Sequence, residues 1–236
     1  MTHFGRSGST VLAIMLSQHP GIDWRQEIFT AALQDKKNLT PPDYHKLVAS
    51  QTSKKTDITG LEVKPINFFK RSNTTIRPFL SGYFRDDCQH IFLERKNVLK
   101  RMISAHRASK NQVYHVLKGQ QPPDDKVLID LDNFTDFDTM SSGTLKHTVT
   151  GAVEYNRGLI EFLEEKQPGF LHLTYEDDVE QDPNIAYEKI LNFLGLEQVP
   201  AKIQLQKTGK SLAEDIGNYD EVRAHLETTE HAWMLD

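Results

Sequence analysis

Short apolar runs closed off by turn-forming residues alternate along this chain with longer stretches of helical spacing, and few folds accept that order. Asp57–Lys64 reads as a strand, with Ile58, Leu61 and Val63 between breakers and Pro65 ending it. Cys88–Arg95, around Ile91-Phe92-Leu93, and Phe170–Tyr175 read the same way. Between them lie helices. Val11, Leu12, Ile14, Met15 and Leu16 wrap nearly all round a first, buried helix that stops at His19-Pro20-Gly21. Further helices are expected near Gln26–Leu33, after Pro41-Pro42, from Asn97 to Asn111, and from Thr144 to Lys166, where Leu145, Val149, Val153, Asn156, Leu159, Ile160 and Leu163 recur and Pro168-Gly169 closes the run. The best-defined one has Asp182 as N-cap, Pro183 at the first position, a stripe of Tyr187, Ile190, Leu191 and Leu194, and Gly195 as its stop. Strands that alternate with helices pair in parallel, so the chain is expected to be an α/β protein of three layers, a central parallel sheet flanked by helices.

No linker or internal repeat divides the 236 residues, which read as a single domain, 1–236, able to bury roughly 70–75% of its unfolded surface. Two stretches lack periodicity: an irregular acidic insertion at Val113–Met140 and a less regular C-terminal segment, 197–236. No apolar run approaches the ~20 residues needed to span a bilayer, and no secretory or transit signal opens the chain. Cys88 is the single cysteine, which excludes an internal disulfide framework and points to a reducing, cytoplasmic setting. A net charge of −5 gives no broad attraction to nucleic acid or an anionic membrane, so an anionic ligand must be held by local groups. The ten histidines form no HExxH or close metal pair, and no metal is expected.

One local group stands out. Gly5-Arg6-Ser7-Gly8-Ser9-Thr10 lies between a short initial strand and the buried helix, so its backbone N–H groups and the helix dipole face an anion at the strand's carboxyl end. This is a P-loop-like cradle without the Walker A pattern GxxxxGK[ST], since His3 stands where its first Gly would be and Ser9 where its Lys would be. Arg6 alone reads as a surface turn residue or an anion ligand. Ser7, Gly8, Ser9 and Thr10 read as a helix cap as well as a phosphate cradle. Arg95 ends a buried strand, where its charge needs a partner such as phosphate, and Ser104 lies on the helix that follows. Lys96, Lys100, Arg101 and Arg107 read as a solvated basic stripe.

Together these segments resemble the sulfotransferase family, whose phosphosulfate loop commonly reads Pro-Arg-Ser-Gly-Thr-Thr between the first strand and the first helix. Arg95 with Ser104 resembles that family's site for a 3′-phosphate. Leu173-Thr174-Tyr175-Glu176-Asp177-Asp178-Val179 with Asp182-Pro183, and then Asn192-Phe193-Leu194-Gly195-Leu196, resemble its Tyr-Glu-Asp and Phe-Leu-Gly blocks. The pair His19-Pro20 followed by Glu27 is similar to the bacterial branch that contains the nodulation-factor and trehalose sulfotransferases. The blocks run in family order from residue 3 to about 196, with Gly5 in place of the usual Pro, Gln26 where Gly is frequent and Lys96 where Arg is common. Only about four residues precede the loop, so the first strand is expected to be unusually short.

The resemblance implies transfer of a sulfuryl group from 3′-phosphoadenosine 5′-phosphosulfate (PAPS) to a hydroxyl of a small or carbohydrate acceptor, without a metal. Arg6, Ser7, Gly8, Ser9 and Thr10 would hold the phosphosulfate, Arg95 and Ser104 the 3′-phosphate, and Tyr175 would border the adenine or remain a core residue. Glu27 would be the general base, against the plainer reading of a first-turn helix Glu, and Lys64 would assist the charge on the sulfuryl group. The acidic insertion would offer Asp and Asn to sugar hydroxyls. Two other readings stay open: a P-loop kinase for a small metabolite, and a catalytically inactive nucleotide-binding protein of the same fold.

Overall fold

In the computed structural model the described residues are 1–29, 40–51, 56, 58–72, 75–84 and 87–236. The strands in chain order are β1 (Thr2–His3), β2 (Ile22–Trp24), β3 (Ile58–Gly60), β4 (Ile91–Glu94), β5 (Phe134–Thr135), β6 (Ser142–Gly143) and β7 (Leu171–Thr174). The helices are α1 (Ser9–Leu16), α2 (Pro41–Gln51), α3 (Ile66–Ser72), α4 (Arg77–Ser81), α5 (Val98–Asn111), α6 (Leu145–Lys166), α7 (Pro183–Leu194), α8 (Leu212–Asp215) and α9 (Tyr219–Leu226). The chain divides into two compact units, one of residues 1–94 and 158–203, the other of residues 95–157 and 204–236.

The first unit carries the parallel sheet expected from the sequence. Its central ladder runs β1-β4-β7, with Thr2 opposite Phe92 and Leu93 opposite Leu173. A second parallel pair, β2 with β3, is tied to it by a bridge between Val63 and Thr2. The strand expected over Asp57–Lys64 is therefore broken in two. It pairs with β2 only as far as Gly60, where β2 ends, and resumes pairing at Val63, whose carbonyl accepts from the His3 N–H at 3.1 Å. Gly60 sits opposite Trp24, and a Cβ there would lie 2.2 Å from the indole, so only glycine lets that ring cross the strand. Leu12, Met15 and Leu16 of α1 and Ile190 and Leu191 of α7 are buried in one cluster with Leu93 and Leu173. Asp182 caps α7 by accepting from the Asn184 N–H at 3.0 Å, and Gly195 closes it at φ 68°. Of the helix expected over Gln26–Leu33, residues 30–33 lie outside the described residues, while Ile28 and Phe29 are buried.

The second unit has its own core, in which Leu99, Met102 and Ile103 of α5 meet Leu145, Val149 and Ala152 of α6. Asn97 caps α5, accepting from the Lys100 N–H at 2.9 Å. Two expectations change here. Arg101 and Arg107 are buried rather than solvated: Arg101, with 0% exposure, donates to Asp136 at 2.8 Å and to Asp138, and Arg107 is paired with Asp215 at 2.7 Å. The Val113–Met140 stretch is correspondingly not a loose acidic excursion. It buries Val116, Val127, Ile129 and Phe134 and forms the antiparallel pair β5-β6, so its Asp136 and Asp138 serve an arginine and are turned away from solvent. Leu212, Ile216, Val222 and Leu226 of the C-terminal segment join the same core. No helix among the described residues is long and apolar enough to cross a membrane.

Candidate active site

Parallel strands deliver their carboxyl ends to one edge of a sheet, and the turn between β1 and α1 lies on that edge. Phe4 is fully buried, Arg6 adopts φ 63°, and Gly8 at φ 87° caps α1 without any side-chain hydrogen bond. Buried Ser7 folds inward, its Oγ donating to the Phe4 carbonyl at 2.6 Å, which fixes the turn. A Cβ on Gly8 would lie 2.9 Å from both Tyr175 Cδ2 and Val179 Cγ1. The backbone at Gly8 is therefore pressed against the segment that follows β7, and glycine is required there twice over, by dihedral and by space. Ser9 and Thr10 open α1, so the dipole of this eight-residue helix and its first N–H groups issue from the turn.

Tyr175 begins a π-helical turn, Tyr175–Val179, of a kind that often marks functional sites. Its fold is set locally: the Thr174 N–H donates to Asp178 at 2.7 Å, and Asp178 in turn accepts from Lys189 at 2.6 Å. The half-buried Tyr175 ring lies against Gly8, which makes it a wall of the cradle.

Next to the turn, the structure joins the two residues named for proton and charge handling. Lys64 Nζ lies 2.5 Å from Glu27 Oε1, both side chains being partly buried. Glu27 follows β2 by three residues and Lys64 follows the Val63 bridge, so strand ends bring them together across 37 positions of sequence. Behind them lies a pair that sequence reasoning missed. His3 Nε2 is 3.0 Å from Glu62 Oε2, His3 Nδ1 is 2.9 Å from the Phe4 carbonyl, and the Trp24 indole N–H donates to Glu62 Oε1 at 3.1 Å. Burial by itself would raise the Glu62 carboxyl, but its hydrogen bonds with His3 and Trp24 and the charge of His3 hold it below the ordinary value. Ligand atoms of His3, Glu27 and Glu62 lie within 4.8 Å of one another, a spacing that a metal ion could draw together.

No family model matches this chain, and no curated protein matches it. Among solved structures it is similar to a sulfotransferase from Alicyclobacillus acidocaldarius, with a TM-score of 0.51 and 12% identity over 99% of this chain and 93% of that one. The chain has a sulfotransferase fold. The likeness covers both units and agrees with the α/β architecture read from the sequence, while at this identity it assigns no residue a role.

Within the sulfotransferase fold of this chain, the first unit holds Arg6, Ser7, Gly8, Ser9, Thr10, Glu27, Lys64 and Tyr175. Arg95 and Ser104 belong to the second. Arg95 directly follows β4 and is buried, and Ser104 is half-buried on α5. The His3–Glu62 contact escapes the sequence reading because His3 is weighed there only against the Walker A pattern and Glu62 lies inside a run read as a strand. The available signal was a glutamate inside the apolar run Leu61-Glu62-Val63, since an acid in a buried strand needs a partner.

Proposed function

We propose that this protein transfers a sulfuryl group from PAPS to a hydroxyl of a small or carbohydrate-like acceptor. The observation that carries this reading is the 2.5 Å pairing of Glu27 with Lys64 at the strand ends beside the Arg6–Thr10 turn, in a chain with a sulfotransferase fold. The turn suits a phosphosulfate because it leads into α1, whose first backbone N–H groups and dipole favour an anion. Arg6, Ser7, Gly8, Ser9 and Thr10 then hold the phosphosulfate, Arg95 and Ser104 the 3′-phosphate, and Tyr175 borders the nucleotide. PAPS supplies the group that moves.

Glu27 takes the proton of the acceptor hydroxyl as its oxygen bonds to sulfur. The bond from sulfur to the bridging oxygen breaks, and its electron pair leaves with adenosine 3′,5′-bisphosphate. Arg6, a fixed and always-charged fork, and Lys64 offset the charge that builds on the bridging oxygen. The reaction is a direct in-line displacement with no covalent enzyme intermediate and no metal. The motif blocks favour the bacterial branch of nodulation-factor and trehalose sulfotransferases, and a single cysteine suits a reducing, cytoplasmic setting.

Calorimetry with adenosine 3′,5′-bisphosphate and ADP tests the donor. The bisphosphate should bind more tightly, and Arg95→Ala should erase the preference. Glu27→Gln should lower sulfuryl transfer by about 10²–10⁴-fold while leaving nucleotide binding in place. Preference for ADP with ATP-dependent phosphorylation of an acceptor would turn the assignment to a small-metabolite kinase. Bisphosphate binding without turnover across a wide acceptor panel would turn it to an inactive nucleotide-binding protein.

A further inference from the structure

His3, Glu27 and Glu62 of the first unit bring three metal-ligating atoms within 4.8 Å of one another. Two of these side chains are oriented from behind. His3 Nδ1 lies 2.9 Å from the Phe4 carbonyl, an oxygen that only accepts, so the contact puts a proton on Nδ1 and leaves Nε2 beside Glu62 Oε2 at 3.0 Å. Glu62 Oε1 accepts from the Trp24 indole N–H at 3.1 Å, which leaves Oε2 to face the ring. Metal-binding histidines and carboxylates are commonly held in this way, by a hydrogen bond at the atom that does not ligate. The decisive feature is Nε2 itself. His3 is 0% exposed, and among the described residues its Nε2 has no regular hydrogen bond, although a carboxylate oxygen adjoins it. A proton shared between the two would make a regular hydrogen bond, whereas a cation held by both requires none.

We infer that His3 Nε2, Glu62 and Glu27 form a binding site for a first-row divalent cation such as Zn²⁺, and that an ion there holds Glu27 out of proton transfer. One imidazole with two carboxylates suits a borderline ion, while Mg²⁺ and Ca²⁺ favour all-oxygen shells. The two carboxylates and a neutral imidazole balance the charge of the ion, and its binding displaces any proton from Nε2. Three protein ligands leave a position for water. The Glu27 side chain is 32% exposed, which gives the ion a way in. Against it stands Lys64, whose ammonium touches Glu27 at 2.5 Å and competes for that carboxylate. The site is inhibitory, because sulfuryl transfer as proposed above uses a free Glu27 and no metal. That half of the inference rests on the sulfuryl-transfer reading, and the binding half does not.

The test is Zn²⁺ binding to the full chain in metal-free buffer, measured by competition with a chromophoric chelator. Wild type should hold one tightly bound ion per chain, which excess Mg²⁺ does not displace. His3→Gln and Glu62→Gln should each weaken binding by at least about tenfold. Lys64→Met, which lacks the competing ammonium, should tighten it. Should His3→Gln fail to fold, Glu62→Gln, a variant that keeps a side-chain oxygen for the Trp24 N–H, decides together with Lys64→Met. Equal affinity in wild type and the folded variants marks adventitious surface binding and overturns the site, as does the lack of any binding. In a second arm, Zn²⁺ should suppress sulfuryl transfer over the concentrations that fill the site, and a chelator should restore it. A filled site with undiminished transfer overturns the inhibitory half, and with it Glu27 as the base, while the cation site stands. Absence of transfer by the metal-free protein removes the reading beneath that half instead, and the binding arm still decides the site.

Discussion

Gly8 concentrates two constraints in one residue, a φ of 87° and a Cβ position 2.9 Å from the Tyr175 and Val179 side chains. Gly8→Ala should destabilise the protein by about 1–3 kcal/mol in urea unfolding, from the left-handed backbone alone, and should weaken nucleotide binding with it. Arg6, two residues earlier, holds φ 63° although it has a side chain, so backbone strain sits where the proposed ligand contact is. Glu62 makes a prediction about pH. Its folded value lies below its ordinary 4.5, so its stabilising contribution is complete above that value and is lost as pH falls through the folded one. Acid titration of unfolding free energy should therefore be shallower for Glu62→Gln than for wild type below about pH 4.5. At this scale the sequence displayed Gly8, Arg6, Glu27 and Lys64 as suitable residue types. It did not display that Lys64 and Glu27 touch, or that His3 reaches Glu62, because those contacts come from strand pairing.

Among the elements, α5 and the stretch after it are held together by charge. Arg101 is wholly buried and paired with Asp136 and Asp138, and Asp136 shows the balance: burial pushes its carboxyl up, but Arg101 draws it below the ordinary value. Arg101→Met would leave two acids buried without their cation and should cost about 3–5 kcal/mol in equilibrium unfolding. A pattern of basic residues at helical spacing reads as a solvated face by default, and only the packing of Val127, Ile129 and Phe134 against α5 placed acids over it. α7 is the opposite case. Asp182, Pro183 and Gly195 write its ends into the local sequence, and Asp182→Ala should lower stability by about 1 kcal/mol, read as a fall in Tm.

For the molecule as a whole, the order of the sheet matters more than any strand in it. β4 is flanked by β1 and β7, and the cluster around Leu93 takes Leu173, Ile190 and Leu191 from residues 158–203. A fragment of residues 1–94 should therefore lack cooperative unfolding and dispersed amide resonances, whereas the full chain should show both. The same cluster explains why strand runs of four residues suffice: they are buried on an apolar face and extended by neighbours, with Val63 bridging β1 to the β2-β3 pair.

The sequence by itself determined what depends on neighbours along the chain: helix starts and stops at Asn97, Asp182 and Gly195, the strand runs at β4 and β7, and the glycine turn ahead of α1. Caps, breakers and apolar periodicity act within a few residues, so they are legible without coordinates. Tertiary structure decided which distant residues meet. It set Glu27 against Lys64, His3 against Glu62, Tyr175 against Gly8, and the acids after residue 130 against Arg101. Each of these joins is made by parallel pairing or core packing, whose register is fixed by burial of the whole sheet and carries no mark in the local sequence.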